Sequence, residues 1–167
     1  GKWLDTKEYS KYGTVAIVGW LVRAEMPNMY SEEDLRNVEI FLKEGGTLLL
    51  SHDLLAVFGL QEGIEFLSGF TGESVRPGEG MVKKEFKDAK ILKPSHPWVK
   101  QLDPKEARSW LGKLAWVCPL PVATGENIIG DSNGQSLLWR IQVGKGQLVY
   151  IGWQMGTFLP KGRGPVP

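Results

Sequence analysis

The sequence predicts an α/β fold: a mainly parallel sheet with helices on both faces, ending in a β-hairpin. Three observations predict it. Thr14–Trp20 (TVAIVGW) and Thr47–Leu50 (TLLL) are short, β-rich runs that lack a polar face, as a parallel strand covered on both sides requires. Between them, Ser31–Glu44 carries a helical period and runs into Gly45-Gly46. From Trp116 onward the rhythm changes to short β runs at Trp116–Cys118, Asn127–Gly130, Ser136–Val143 and Gln147–Trp153, with turn residues at Asp131–Gly134 and Gly144–Gly146 between the last three.

Taken in order, Thr14–Trp20 reads as a central strand and Leu21–Tyr30, with Pro27 and Asn28, as the loop leaving its carboxyl end. Ser31 is a natural N-cap, and Asp34 three residues on completes a capping-box pattern while adding favourable charge at the positive helix end. Leu35, Val38, Phe41 and Leu42 form one apolar stripe, with Glu32, Arg36, Glu39 and Lys43 opposite. Gly45 and Gly46 supply the left-handed exit that residues with a Cβ resist. Strand, helix and strand then make a right-handed crossover. The apolar, glycine-punctuated stretch after Asp53 suggests one or two short helices, and Met81–Phe86 one edge strand. Pro94–Leu102 (PSHPWVKQL) is a rigid turn, because each proline restrains itself and the residue before it, and Asp103-Pro104 with Glu106 marks a helix start.

A chain of 167 residues fits one domain and one core. Both ends read as cuts, so the expectation is a single domain over 1–167 taken from a longer protein, with its core at about 12–154 and a tail or linker at 155–167. With 20 basic and 19 acidic residues the formal charge is +1, which gives no electrostatic reason to expect nucleic acid or an anionic membrane. The one cysteine, Cys118, excludes an internal disulfide, and two histidines supply too few ligands for a Cys/His zinc site. No metal or cofactor is expected. No apolar run reaches the roughly 18 residues needed to cross a bilayer, and the first residues hold no signal-like apolar core, so the chain as given reads as soluble with its compartment open.

Three segments, in this order, resemble the class I glutamine-amidotransferase-like superfamily: YGTVAIVGW (12–20) followed by a helix and FLKEGGTLLLSHD (41–53), then SHPWVKQL (95–102), then VGKGQLVYIGWQ (143–154). The nearer likeness is to trehalose-utilisation (ThuA-like) proteins and to the accessory trimerisation domains of β-galactosidases. The resemblance implies a flavodoxin-like three-layer sandwich. It also marks departures. Amidotransferases end the strand after Gly-Gly in a cysteine nucleophile, where this chain has Leu50-Ser51-His52-Asp53, and its cysteine lies far away at Cys118. ThuA-like proteins often end the last strand in Gly-His, where this chain has Gly152-Trp153-Gln154. The family's usual first strand and helix have no counterpart before Thr14, so the sheet is expected to lack one strand unless another part of a longer chain supplies it.

In open α/β sheets ligands gather at the carboxyl ends of strands, which makes the Ser51-His52-Asp53 tip the first place to look. Adjacent residues cannot form a Ser-His-Asp relay, since consecutive side chains diverge. The bland reading has Ser51 or Asp53 capping the next helix and His52 in a structural hydrogen bond; the alternative is a rim whose helix amides bind a carboxylate or sugar hydroxyl. His96, in a turn between Ser95 and Pro97, reads first as structural and second as a helper of that rim. Trp20 and Trp153 fall at strand ends on the same rim, where flat indole faces stack on sugar rings or anchor interfaces. The candidate ligand-binding set is therefore Trp20, Ser51, His52, Asp53, His96 and Trp153, with no catalytic residue assigned. The carboxylates Glu25, Asp53 and Glu126 have no spacing that marks a glycosidase pair, and Cys118 before Pro119 reads as a small buried apolar side chain. The residues favour a non-catalytic accessory or interaction domain of a larger, carbohydrate-linked protein, whose partners are its other domains, a second copy, or carbohydrate. The alternative is a ThuA-like small-ligand or sugar-binding enzyme using Ser51, His52 and Asp53.

Overall fold

The computed structural model describes residues 6–17, 31–51, 89–111, 120–121 and 125–153. A 3-10 helix over Thr6–Lys11 is followed by β1 (Thr14–Ile17), α1 (Glu32–Glu44) and β2 (Thr47–Ser51). Then come β3 (Lys90–Ile91), α2 (Pro104–Leu111), β4 (Leu120–Pro121), β5 (Glu126–Gly130), β6 (Gln135–Val143) and β7 (Gly146–Ile151). The result is an α/β protein with an open mixed sheet. Its main path runs β1-β2-β7-β6-β5-β3, with β4 paired to the start of β6. No described helix is long and apolar enough to cross a membrane.

Local chemistry sets both ends of α1. The Ser31 hydroxyl accepts from the Asp34 amide at 3.2 Å, and the Asp34 carboxylate accepts from the Ser31 amide at 3.0 Å, so the capping box satisfies two amides that the first turn leaves without partners. Asp34 also accepts from Thr6 Oγ1 at 2.9 Å, which docks the 3-10 helix on the start of α1. At the other end Gly45 takes φ 120°, and the Gly45 and Gly46 amides donate back to Leu42 and Phe41. Val38, Phe41 and Leu42 are buried against Leu48, Leu50, Leu148 and Tyr150. Each such side chain contributes about 1.5–3 kcal/mol on burial, against about 1 kcal/mol for a cap, so packing decides that α1 holds and the cap decides where it starts.

The sheet is apolar on both faces. Leu48, Leu50, Leu148 and Tyr150 face α1, while Leu49, Val149 and Ile151 join a second cluster with Val99, Leu111, Ile128 and Leu137 on the α2 side. This alternation is what a buried strand pair needs.

Two expectations are corrected. Among the described residues the sheet is mixed and not mainly parallel: β1–β2 and β2–β7 are parallel, whereas β7–β6, β6–β5, β5–β3 and β4–β6 are antiparallel. Connection length accounts for both kinds of pairing: β1 and β2 are joined through α1, long enough for a parallel crossover, while two residues separate β6 from β7 and permit only an antiparallel return. Second, β1 is the terminal strand of this path and not a central one, with Thr14 and Ala16 exposed and Val15 and Ile17 half-buried. Small Thr and Ala gave the stretch a two-sided apolar look. The expected edge strand at Met81–Phe86, the strand at Trp116–Cys118 and the helices after Asp53 lie outside the described residues.

Where β7 begins, its backbone lies directly on the Gly46 turn. A Cβ added to Gly146 would stand 2.1 Å from the Gly46 carbonyl oxygen and 2.3 Å from that of Leu42, whereas one added to Gly13 would meet nothing within 4 Å. Gly146→Ala is therefore expected to lower unfolding free energy by about 1–3 kcal/mol or more, and Gly13→Ala to change it little. Urea denaturation of both variants checks this; equal midpoints would show that the contact tolerates a methyl group. A second expectation concerns Tyr9, whose buried hydroxyl has no hydrogen-bond partner and whose pKa is raised to about 12 by burial and by Asp34. Tyr9→Phe should leave stability unchanged or raise it, because it removes a desolvated polar group and keeps the edge-to-face packing on Phe41.

Candidate functional site

Polar side chains gather on the α2 face of the sheet, at the amino-terminal margin of β2 and β7. Alternation along β6 puts Arg140 on this face: its cross-strand partner is Val149, which belongs to the α2-side cluster. Antiparallel pairing then sets Glu126 of β5 directly opposite Arg140. The Glu126 carboxylate accepts from Arg140 Nε at 2.5 Å and from Lys93 Nζ at 3.0 Å. Arg140 Nη1 donates to Gln147 Oε1 at 3.4 Å, and Gln147 Nε2 to Thr47 Oγ1 at 3.3 Å, so a polar chain crosses from the amino end of β2 to the segment after β3.

The Pro94–Leu102 turn brings two more groups to this chain. His96 is 6% exposed; its Nδ1 accepts from the Trp98 amide at 3.2 Å, which fixes the ring orientation. Its Nε2 is buried without a hydrogen-bond partner, 3.7 Å from Glu126 Oε2. Trp98 is 43% exposed, packs edge-to-face with His96 at 4.9 Å between ring centres, and lies under the Arg140 guanidinium at 5.7 Å. Arg140 first and Lys93 second, by hydrogen bonds to the ionised form, hold the Glu126 carboxyl below its ordinary range. The chemistry on offer is hydrogen bonding and stacking. A carboxylate made less basic by two cations is a poor general base at neutral pH.

Of the residues singled out in the sequence, Trp20, His52 and Asp53 lie outside the described residues, as do Cys118 and Glu25. Ser51 ends β2 wholly buried. Trp153, partly buried, packs against the α2-side cluster. The structure does not bring Ser51 and His96 together, because His96 neighbours β5 and three inter-strand steps separate β2 from β5, roughly 14 Å at strand spacing. Lys93, Trp98 and Arg140 were not singled out by sequence reasoning. The one usable signal was local: Trp98 stands two residues from His96 in a doubly proline-restrained turn. Among the described residues no three His, Cys, Asp or Glu side chains converge as a metal site would need.

No family model matches the chain, and no curated protein matches it in sequence. Solved structures do match its fold. Cytoplasmic protein STM3548 from Salmonella typhimurium aligns over 90% of this chain and 63% of its own, at 16% identity and a TM-score of 0.56. Cytoplasmic protein STM1381 from Salmonella typhimurium LT2 aligns over 91% and 64%, at 17% identity and 0.57. The exo-beta-1,4-mannosidase Op5Man5 from Opitutaceae bacterium strain TAV5 aligns over 87% of this chain and 21% of its own, at 12% identity and 0.44, too distant to support an argument. At these identities the likeness to the first two is one of fold. The chain spans somewhat under two thirds of their length.

The ion pairs of Glu126 carry a pH dependence whose sign follows from the lowered pKa. A carboxyl more acidic in the folded than in the unfolded chain adds stability above its unfolded pKa, and that stability is lost as pH falls through the folded value. Glu126→Gln should cost on the order of 1 kcal/mol near neutral pH and flatten the acid limb, because the variant has no proton to take up there. Denaturation midpoints measured from neutral pH into acid check it, and parallel limbs for the two proteins would refute the assignment.

Proposed function

We propose that the chain works as a non-catalytic accessory or interaction domain of a larger, carbohydrate-linked protein. The observation that carries this reading is the placement of Ser51. An enzyme built on the Ser51-His52-Asp53 tip would need an accessible nucleophile with a base beside it; Ser51 is instead fully buried at the end of β2, while His96 lies on another part of the sheet, its Nδ1 taken by the Trp98 amide. Glu126 offers no substitute, being held ionised by Arg140 and Lys93. The length of the two Salmonella structures beyond the aligned part supports a role alongside further chain. The finer placement belongs to the same proposal: a flavodoxin-like three-layer sandwich of the class I amidotransferase-like superfamily, near the ThuA-like and β-galactosidase trimerisation domains, with a C-terminal hairpin formed by β6 and β7. Its support is the order of YGTVAIVGW, FLKEGGTLLLSHD, SHPWVKQL and VGKGQLVYIGWQ along the chain, together with apolar clusters on opposite faces of the sheet. The carbohydrate link comes from that resemblance.

The expected result of incubating the chain with L-glutamine and with a panel of chromogenic glycosides is no turnover above background, unchanged in His52→Ala and Asp53→Ala. Turnover by the wild-type chain that disappears in either variant while its melting temperature stays the same would replace this reading with a ThuA-like enzyme.

A further inference from the structure

We propose that the exposed indole of Trp98, with Glu126, Arg140 and Lys93 beside it, is a binding platform for a neutral sugar ring. The choice of ligand class rests on the carbohydrate-linked reading above; the surface itself is argued from its geometry.

A sugar ring has two chemical aspects, an apolar face of C–H groups and a rim of hydroxyls that each donate and accept. Trp98 answers the first. Trp98 as a residue is 43% exposed even with His96 and Arg140 beside its ring. A single exposed apolar side chain is ordinary on a protein surface; this one is held in place. The backbone of its turn is tied by His96 N to Lys93 O at 3.0 Å, Val99 N to His96 O at 3.0 Å and Lys100 N to His96 O at 2.9 Å, and the Trp98 amide itself donates to His96 Nδ1. An aromatic ring already fixed loses little conformational freedom when a ligand lands on it.

Glu126, Arg140 and Lys93 answer the second aspect. Glu126 is a carboxylate with lone pairs beyond the two it uses, and Arg140 and Lys93 have N–H groups beyond those given to Glu126. Acceptor and donors therefore stand side by side, as adjacent hydroxyls require. All three remain partly accessible, with side-chain exposures of 25% for Glu126, 38% for Arg140 and 50% for Lys93. Glu126 also offsets one of the two cations, which weakens the pull on a simple anion and favours a neutral polyol. His96 is too buried to touch a ligand and acts as a positioning residue, with one ring nitrogen on the Trp98 amide and the other facing Glu126.

The test is an NMR titration of the chain with maltotriose, cellotriose and mannotriose, following indole and backbone amide signals. At least one sugar should give a saturable shift at Trp98 and at its neighbours on β5 and β6. Trp98→Ala should raise the dissociation constant about tenfold or more, Trp98→Tyr should restore part of the loss, and Glu126→Gln should weaken binding with the fold retained. Leu102→Ala, which removes another exposed apolar side chain of the same turn, should leave it unchanged. Failure of all three sugars to bind, or binding that persists in Trp98→Ala, overturns the platform. Neither result bears on turnover, so the accessory-domain reading stands or falls separately.

Discussion

The fold depends on one close approach between backbones a hundred residues apart in sequence. Helix α1 ends at Glu44 and turns through Gly45 and Gly46 into β2, leaving carbonyls at its C-terminus without helical partners. Some are taken up locally, by the Gly45 and Gly46 amides, but Lys43 O accepts from the Lys145 amide at 3.1 Å and Gly46 O from the Gln147 amide at 3.0 Å. These bonds exist only because Gly146 carries no side chain, since there is no room for one between it and the Gly46 and Leu42 carbonyls. The contact closes the helix end and at the same time starts β7 beside β2.

Register follows from that start. With Thr47 opposite Gln147, every later pair is fixed: Leu48 with Leu148 and Leu50 with Tyr150 toward α1, Leu49 with Val149 toward α2. A slip of one residue would turn each set onto the wrong face, so burial on both sides locks what the glycines began. From β7 the tight return into β6 carries Arg140 to the level of Val149, and β5 brings Glu126 to Arg140. The polar chain Thr47–Gln147–Arg140–Glu126–Lys93 thus lies one side-chain row from the apolar cluster, at the margin where β2 and β7 begin. Its outer links at 3.3 and 3.4 Å are long and weak; the short bonds to Glu126 hold it together.

This division explains what could be read from the residues alone. Helix α1, with its Ser31–Asp34 box and Gly45-Gly46 exit, was legible to within a residue because everything that defines it lies within one helix length. The strands β2, β5, β6 and β7 were legible as runs for the same reason. Strand direction was not, since it depends on which strands become neighbours, and β3 and β4, of two residues each, exist only as pairings to β5 and β6. The site was less legible still. Ser51, His52 and Asp53 drew notice by being adjacent, yet Glu126, Arg140 and Lys93 meet through sheet register and a turn, across separations of 14 and 33 positions. Only His96 and Trp98 were close enough in sequence to be seen together, and of those only His96 was picked out.

The electrostatics of Glu126 tie the two halves of the functional reading to one cause. A carboxylate that serves as a general acid or base must be poised near the working pH, which burial or a neighbouring anion achieves. Glu126 has the opposite surroundings: two cations draw its proton affinity down, so at neutral pH it is charged and stays charged. What it loses as a proton carrier it gains as a fixed acceptor, because the bonds that keep it ionised also hold Arg140 across the Trp98 ring. Raising its pKa for catalysis would mean removing Arg140, and with it the guanidinium that stacks on the indole. Within this cluster the hydrogen bond from Arg140 that holds Arg140 over Trp98 is also the one that keeps Glu126 ionised, so the carboxylate is fixed as an acceptor and not available as a proton carrier.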